Sequence, residues 1–176
     1  DIDLCGGGEM RGPGWTLEAI PTPGHTSNHL CYGFAQENAL FTGDHVMGWS
    51  TSVVIPPDGS MAAYLDSLRA IRARGFQTLW PTHGPPVTDT APFLDAYIAR
   101  RLEREAQILA AVRGGVDRIA AMVDKLYADL DPRLKPAAAQ SVYSHLIKLT
   151  AEGQVRSDPA PQLSSVYRPQ SEIRSN

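Results

Sequence analysis

The chain has 176 residues, which is enough for one domain or two small ones, because domains typically hold about 100–150 residues. A hydrophobic content of 43% and a charged content of 20% are ordinary for a globular protein, and the net charge of −3 provides no general attraction to nucleic acid. No apolar run reaches the ~20 residues of a membrane span, and no signal peptide opens the chain. The two cysteines, Cys5 and Cys31, form neither a disulfide framework nor a zinc pattern. We therefore expect a cytoplasmic protein that does not associate with membranes.

The first half of the chain alternates strand and helix signals. Short apolar runs bounded by turn residues predict strands over residues 15–20, 30–34, 39–41 and 76–80. Asp58 is a candidate N-cap for a helix that ends at Gly75. The apolar positions of this helix, at 61, 65, 68 and 71, follow the helical period. This alternation predicts an α/β layered fold over residues 1–88.

From Thr90 onward the pattern becomes helical. Thr90 is the candidate cap of a long helix that ends near residue 113, and two more helices are predicted from about residues 116 and 136. Two short strands, at 154–156 and 166–168, follow the last helix. Helices followed by a β-hairpin are typical of the winged variant of the helix-turn-helix unit. We expect a long helix plus a winged-helix domain over residues 89–169, and a disordered tail over 170–176.

The histidines carry the strongest chemical signal. Only five are present, and three turns at predicted strand ends place histidine or aspartate beside glycine. These turns are Pro-Gly-His at His25, Gly-Asp-His at Asp44 and His45, and Thr-His-Gly at His83. Neutral imidazole and carboxylate are ligands that zinc and similar divalent ions prefer, and a rigid turn fixes their direction. The three turns together predict a metal centre.

These strings resemble, in order, the last three metal-binding motifs of the metallo-β-lactamase superfamily. The resemblance covers about residues 12–88 and implies half of an αββα sandwich that holds two divalent metals. It implies that His25 binds the first metal, that Asp44 bridges both and is the catalytic carboxylate, and that His83 binds the second. Zinc is the expected metal, with manganese or iron as alternatives. In this family the metal pair activates a hydroxide that attacks the substrate.

One family motif has no counterpart in this chain. The first motif, His-x-His-x-Asp-His, precedes the Pro-Gly-His string in the family and supplies the other ligands, but nothing similar occurs in residues 1–24. We therefore expect this chain alone to bind metal weakly and to be inactive, and we assign the activity to an intact parent protein.

The remaining histidines have two interpretations each. His29 is a candidate for supporting a metal ligand, or else has a plain structural role. His45 either lines the site and contacts substrate or is a structural polar residue. His145 lies on the last predicted helix, away from the metal motifs, and is expected to be solvated or partly packed.

The segment from His145 to Val155 resembles the winged-helix domain appended to one branch of the superfamily. This domain could bind nucleic acid through its third helix and its Lys and Arg side chains at positions 135, 148, 156 and 168, or it could be a packing module, including a homodimer contact. The short segment between Asp44 and His83 has no room for the long insert of the superfamily's nucleic-acid-processing nucleases.

Two classes of function follow from these patterns. The first is a metal-dependent hydrolase that cleaves an ester, thioester or phosphodiester, where a glyoxalase-II-like thioesterase and a ribonuclease are the alternatives. Its substrate is either a small molecule or RNA. The second is a non-catalytic winged-helix module that binds nucleic acid or a protein partner.

Overall fold

The computed structural model describes residues 7–170, so Cys5 and nearly all of the predicted disordered tail lie outside the described residues. The chain divides into two compact units, the first ending at Arg101 and the second beginning at Leu102. The sequence placed this division after residue 88. The difference arises because the first half of the long helix contributes Leu94 and Tyr97 to the core of the first unit.

The first unit is built on one mixed sheet of five strands in the order β1-β2-β3-β4-β5. The strands are β1 (Gly8–Gly12), β2 (Trp15–Pro21), β3 (Leu30–Phe34), β4 (Ala39–Gly43) and β5 (Thr78–Pro81). The four strands predicted from the sequence are confirmed. Strand β1 was not predicted, since its sequence Gly-Glu-Met-Arg-Gly lacks apolar alternation and its ladder is completed by antiparallel pairing with β2.

The strand directions bring three strand ends to one edge of the sheet. Strand β3 is antiparallel to both β2 and β4, and β5 is parallel to β4. Strands β2, β4 and β5 therefore all run the same way. Their carboxyl ends lie at the same edge, which is where loops that carry functional side chains commonly sit.

Two helices pack against one face of this sheet: α1 (Met61–Arg74) and the beginning of α2 (Thr90–Arg113). Alternation along the strands buries Leu40 and Leu79 under these helices, while Phe41 and Trp80 on the opposite face are 44% and 43% exposed. The core of this unit also takes up side chains from the loops, Val46, Val54 and Val87 among them.

Two predicted helix caps are wrong. Ser60, not Asp58, caps α1, because its hydroxyl accepts a hydrogen bond from the Ala63 amide at 3.4 Å. Asp58 lies outside the helix, and its carboxylate accepts from the Ser27 amide at 3.2 Å. Thr90 is the first residue of α2, and its hydroxyl donates to the Phe76 carbonyl at 2.6 Å instead of capping the helix.

The second unit is a small helical domain with a hairpin. After the end of α2 it contains α3 (Ile119–Leu126), a 3-10 turn (Pro132–Leu134), α4 (Lys135–Ala151) and the antiparallel strands β6 (Val155–Asp158) and β7 (Val166–Pro169). The predicted helices and hairpin are confirmed. Within residues 7–170, no helix combines the length and apolar character that crossing a membrane requires.

His145 differs from its prediction, because its side chain is fully buried in the second unit. Its Nδ1 lies 3.1 Å from the Glu105 carboxylate, and the same carboxylate accepts a 2.7 Å hydrogen bond from Lys148. Burial alone would raise the pKa of Glu105, but the hydrogen bonds from His145 and Lys148 outweigh it and lower that pKa. The apolar pattern of α4 does not predict this burial, because the carboxylate that His145 contacts belongs to Glu105 on helix α2.

Candidate metal centre

Three loops meet at the shared edge of the sheet. His25 lies four residues after the end of β2, Asp44 directly follows β4, and His83 follows β5 after one intervening threonine. The amide of Thr82 donates to the Gly43 carbonyl at 3.2 Å, which extends the parallel pairing just beyond the strands. The topology therefore brings together the three residues that the motifs single out as metal ligands.

The Asp44 carboxylate lies between the two imidazoles. His25 Nε2 is 4.0 Å from Asp44 Oδ2, and His83 Nε2 is 3.5 Å from Asp44 Oδ1. Each imidazole thus faces a different oxygen of the same carboxylate. Oδ1 is itself buried and has no hydrogen-bond partner within the described chain, although the Asp44 side chain as a whole is 37% exposed.

The tautomer of His25 is fixed by its surroundings. Its Nδ1 lies 2.5 Å from the Val53 carbonyl oxygen, and a carbonyl can only accept, so Nδ1 carries the proton. In the neutral ring, Nε2 then presents a lone pair toward the carboxylate oxygen 4.0 Å away. A nitrogen lone pair and a carboxylate oxygen repel each other when they face one another directly. A cation bound between His25 Nε2 and Asp44 Oδ2 turns this repulsion into attraction. The residues present therefore fit a divalent metal at this position.

The described residues contain no group of three or more His, Cys, Asp or Glu side chains arranged around a single metal position. This agrees with the pairwise geometry, in which one imidazole and one carboxylate oxygen form each half of the cluster. Such an arrangement suits a carboxylate shared by two cations, each needing further ligands to reach its usual coordination number.

His29 and His45 line the inner side of the cluster. His29 Nδ1 is 2.8 Å from the Thr22 hydroxyl, and its ring centroid lies 6.1 Å from that of His25 and 5.5 Å from that of His45. Burial, with a contribution from His25, lowers the pKa of His29. Burial is also the main cause that lowers the pKa of His45 to about 3, so this ring is neutral at physiological pH.

His45 does not reach the carboxylate cluster through a hydrogen bond. It is fully buried, its ring packs 4.6 Å from that of Tyr64, and neither ring nitrogen has a hydrogen-bond partner within residues 7–170. This position favours the structural interpretation of His45 over contact with substrate.

Several residues that contact the cluster were not singled out from the sequence. The Ser52 hydroxyl donates to the Asp44 carbonyl and lies 3.3 Å from His25 Nδ1. Trp49 has its ring parallel to that of His83, within 2°, at a centroid distance of 6.5 Å. Tyr97, from helix α2, bonds to the backbone of the intervening loop. The spacing of these residues in the sequence gives no signal that they lie near the cluster. The one available signal is Trp49, a large aromatic residue between a glycine and a serine.

Comparison with known proteins agrees with this geometry. Residues 1–83 match the family model of the metallo-β-lactamase superfamily, and residues 119–161 match that of the β-lactamase-associated winged-helix domain. The chain belongs to the metallo-β-lactamase superfamily. The resemblance inferred from the three motifs is therefore confirmed, as is the fold of a metallo-β-lactamase α/β domain part followed by a winged helix.

The relatives that this chain matches are longer than the chain itself. It is 38% identical over 99 residues to an atrochrysone carboxyl ACP thioesterase of Aspergillus aculeatus, covering 56% of this chain and 30% of that protein. It is 32% identical over 151 residues to a β-lactamase-like protein 2 homolog of Caenorhabditis elegans, covering 85% of this chain and 50% of that protein. The chain thus spans half or less of the length of these two relatives.

A solved structure shares the fold of both units. The crystal structure of a metallo-β-lactamase family protein from Thermus thermophilus superposes with a TM-score of 0.80 at 21% identity, covering 96% of this chain and 54% of the other. This likeness establishes the fold alone. It extends across nearly the whole chain, including the winged-helix part.

Proposed function

We propose that the whole protein to which this chain belongs is a metal-dependent hydrolase, and that thioesters are its substrates. The observation that carries the proposal is the position of Asp44, whose two carboxylate oxygens face the Nε2 atoms of His25 and His83 separately. Two divalent ions, with zinc as the expected metal, would be held by these three residues together with ligands from elsewhere in the protein. When bound, such ions supply a nucleophile from water at neutral pH.

The chain's own residues orient this centre. The Val53 carbonyl keeps the proton of His25 on Nδ1, so that Nε2 is the ligating atom. The Ser52 hydroxyl donates to the Asp44 carbonyl and fixes the backbone of Asp44. His29, held by Thr22, meets the His25 ring edge-on at a centroid distance of 6.1 Å and supports its orientation.

Thioesters are favoured over RNA by two observations. The relative from Aspergillus aculeatus is named as a thioesterase. Two of the four cations that could have contacted nucleic acid are already engaged within the second unit. Lys135 pairs with Asp124 at 2.6 Å, and Lys148 pairs with Glu105 and Glu152 at 2.7 and 2.8 Å. This pairing leaves fewer cations for nucleic acid and supports a packing role for the winged helix over a nucleic-acid-binding module.

The test uses the whole protein, stripped of metal by a chelator and reloaded with zinc or manganese. We expect it to hydrolyse a small acyl thioester faster than a matched oxygen ester or a generic phosphodiester. Asp44→Ala should abolish the activity, because no neighbouring side chain can face both imidazoles. His29→Ala should reduce it by at most about 10–100-fold, the usual range for residues that support metal ligands.

Matched controls separate loss of chemistry from loss of folding. Asp66 is an exposed carboxylate of helix α1 in the same unit and pairs with Arg69. Asp66→Ala should leave the activity unchanged. The 176-residue chain alone should be inactive and should bind zinc weakly. Unchanged activity in Asp44→Ala, or preferred hydrolysis of the phosphodiester, contradicts the proposal.

A further inference from the structure

The loop after Asp44 presents an unusual apolar surface. Residues 46–57 contain no charged side chain. Three large apolar residues in this loop point into solvent: Trp49 is 72% exposed, Val53 44% and Ile55 45%. We refer to these three side chains as the apolar rim. Three exposed apolar side chains on one short uncharged loop make this loop a candidate site of interaction.

The apolar rim is attached directly to the candidate metal centre. The amide of Gly48 donates to the His83 carbonyl at 2.9 Å, one residue before Trp49. The Val53 carbonyl accepts from His25 Nδ1 at 2.5 Å. The beginning of the loop therefore bonds to His83, and the middle of the loop bonds to His25. The Trp49 ring also lies parallel to that of His83 at a centroid distance of 6.5 Å, so this surface borders the site around Asp44.

The loop is held firmly from the protein side. The Tyr97 hydroxyl accepts from the Ser52 amide at 2.8 Å and donates to the Ser50 carbonyl at 2.8 Å. Arg101, which is buried, donates to the Ser52 carbonyl. Because the backbone is anchored on both sides of Ser52, the positions of Trp49 and Val53 relative to His25 and His83 are fixed within this unit. The positive charge of Arg101 is turned inward and is not offered to a ligand.

These features define the chemistry of the group that the surface accepts. Recognition of a phosphodiester uses Lys and Arg side chains or backbone amides directed at the phosphate, whereas residues 46–57 offer a flat indole and two branched aliphatic side chains. Resting on the hydrolase function proposed above, we infer that the apolar rim binds the acyl group of the thioester. We infer further that this acyl group is aromatic or extended and apolar, with Trp49 as the residue that determines specificity.

The test compares acyl groups on a constant leaving group. Acetyl, octanoyl and naphthoyl thioesters of N-acetylcysteamine are assayed with the metal-loaded whole protein and its variants. For Trp49→Ala we expect kcat/KM to fall about tenfold or more on the octanoyl and naphthoyl substrates and about twofold or less on the acetyl substrate. Trp49→Phe should restore most of the loss on the naphthoyl substrate, because an aromatic face is retained.

Trp15 provides the matched control. It is 39% exposed and lies at the opposite end of β2 from the cluster, roughly 20 Å away along a seven-residue strand. Trp15→Ala should leave the ratio of naphthoyl to acetyl activity unchanged. Thermal unfolding of both variants should match that of the wild type, since both rings are largely or partly in solvent.

A binding measurement gives a readout that is independent of turnover. A non-hydrolysable naphthylmethyl thioether of N-acetylcysteamine should quench the tryptophan fluorescence of the metal-free whole protein. Trp49→Phe should lose most of this quenching and Trp15→Phe should keep it. Equal losses on all three thioesters in Trp49→Ala, or full quenching in Trp49→Phe, overturn the inference while leaving thioester hydrolysis intact. Absence of hydrolysis of every thioester by the wild type overturns the proposed function instead.

Discussion

Gly24 packs directly against the backbone of Tyr64. A Cβ atom placed on Gly24 would lie 2.3 Å from the Tyr64 Cα and 2.4 Å from its amide nitrogen. The Gly24 carbonyl also accepts a 2.9 Å hydrogen bond from Ser60, the residue that caps α1. The turn that carries His25 is thus seated on the first turn of the helix, without room for any side chain.

Replacing Gly24 by alanine should therefore be strongly destabilising. The new methyl group meets backbone atoms that cannot rotate away, and the φ of 140° at this position is one that L-residues rarely adopt. We expect a loss of about 2–5 kcal/mol in the free energy of unfolding, measured by denaturant titration. Gly14→Ala is the control: its φ is 78° but nothing lies within 4 Å, so only about 1–2 kcal/mol should be lost. Equal losses in the two variants would show that the contact with Tyr64 is unimportant.

The Glu105 carboxylate should be a main support of the second unit. It is buried between α2 and α4, where His145 and Lys148 both bond to it. Glu105→Ala removes the buried carboxylate that His145 and Lys148 share, while Lys148 keeps its pair with Glu152. Breaking a buried ion pair typically costs about 3–5 kcal/mol, and we expect a loss near the lower end of that range because one partner of Lys148 remains. Asp124→Ala, which breaks the exposed pair with Lys135, should change stability little. Calorimetry of both variants checks this, and similar unfolding temperatures would contradict it.

The same carboxylate predicts a pH dependence. The folded-state pKa of Glu105 lies below its ordinary value of 4.5, so folding is favoured by the ionised form. This stabilisation is fully present above pH 4.5 and is lost as the pH falls through the lower, folded-state pKa. The unfolding temperature of the wild type should therefore drop below pH 4.5, and Glu105→Gln should show a shallower drop. Parallel curves for the two proteins would exclude Glu105 as a source of acid sensitivity.

Sequence patterns were sufficient for the parts of this molecule in which local signals and tertiary structure agree. The motif residues His25, Asp44 and His83 each follow a strand with a clear apolar pattern. If those three strands run in the same direction, their carboxyl ends meet at one edge of the sheet, and the structure has this arrangement. The tight turn at Gly75, with a φ of 67°, was also foreseeable from the residue type.

Sequence patterns did not predict features that depend on contacts between residues far apart in the chain. The burial of His145 depends on Glu105, which is 40 residues earlier on another helix. Either Asp58 or Ser60 could cap α1 on the sequence alone. In the structure Ser60 is the cap, and the Asp58 carboxylate accepts a hydrogen bond from the Ser27 amide instead. Contacts of this kind leave no periodic signal, because neither partner's neighbours along the chain indicate where the other will lie.

Tyr97 offers the sharpest test of how the loop beside Asp44 is held. Its hydroxyl accepts from the amides of Met47 and Ser52, at 3.2 and 2.8 Å, and donates to the Ser50 carbonyl at 2.8 Å. Tyr97→Phe keeps the packing of the ring and removes these bonds, together with the interaction of the hydroxyl with the Tyr64 side chain. Each amide left without a buried partner costs about 1–3 kcal/mol, so the loop should open more often without global unfolding. Hydrogen exchange at Met47 and Ser52 should accelerate by about tenfold or more.

The control for that variant is Tyr143→Phe in the second unit, which removes a single hydrogen bond to the Pro161 carbonyl at 3.0 Å. It should leave exchange at Met47 and Ser52 unchanged. In the whole protein, Tyr97→Phe should also lower kcat/KM, because the carbonyl of Val53 that orients His25 belongs to the loosened loop. If exchange accelerates while hydrolysis stays at the wild-type rate, the loop is not required to hold His25, and the orientation of that ring must come from His29 and the turn at Gly24 alone.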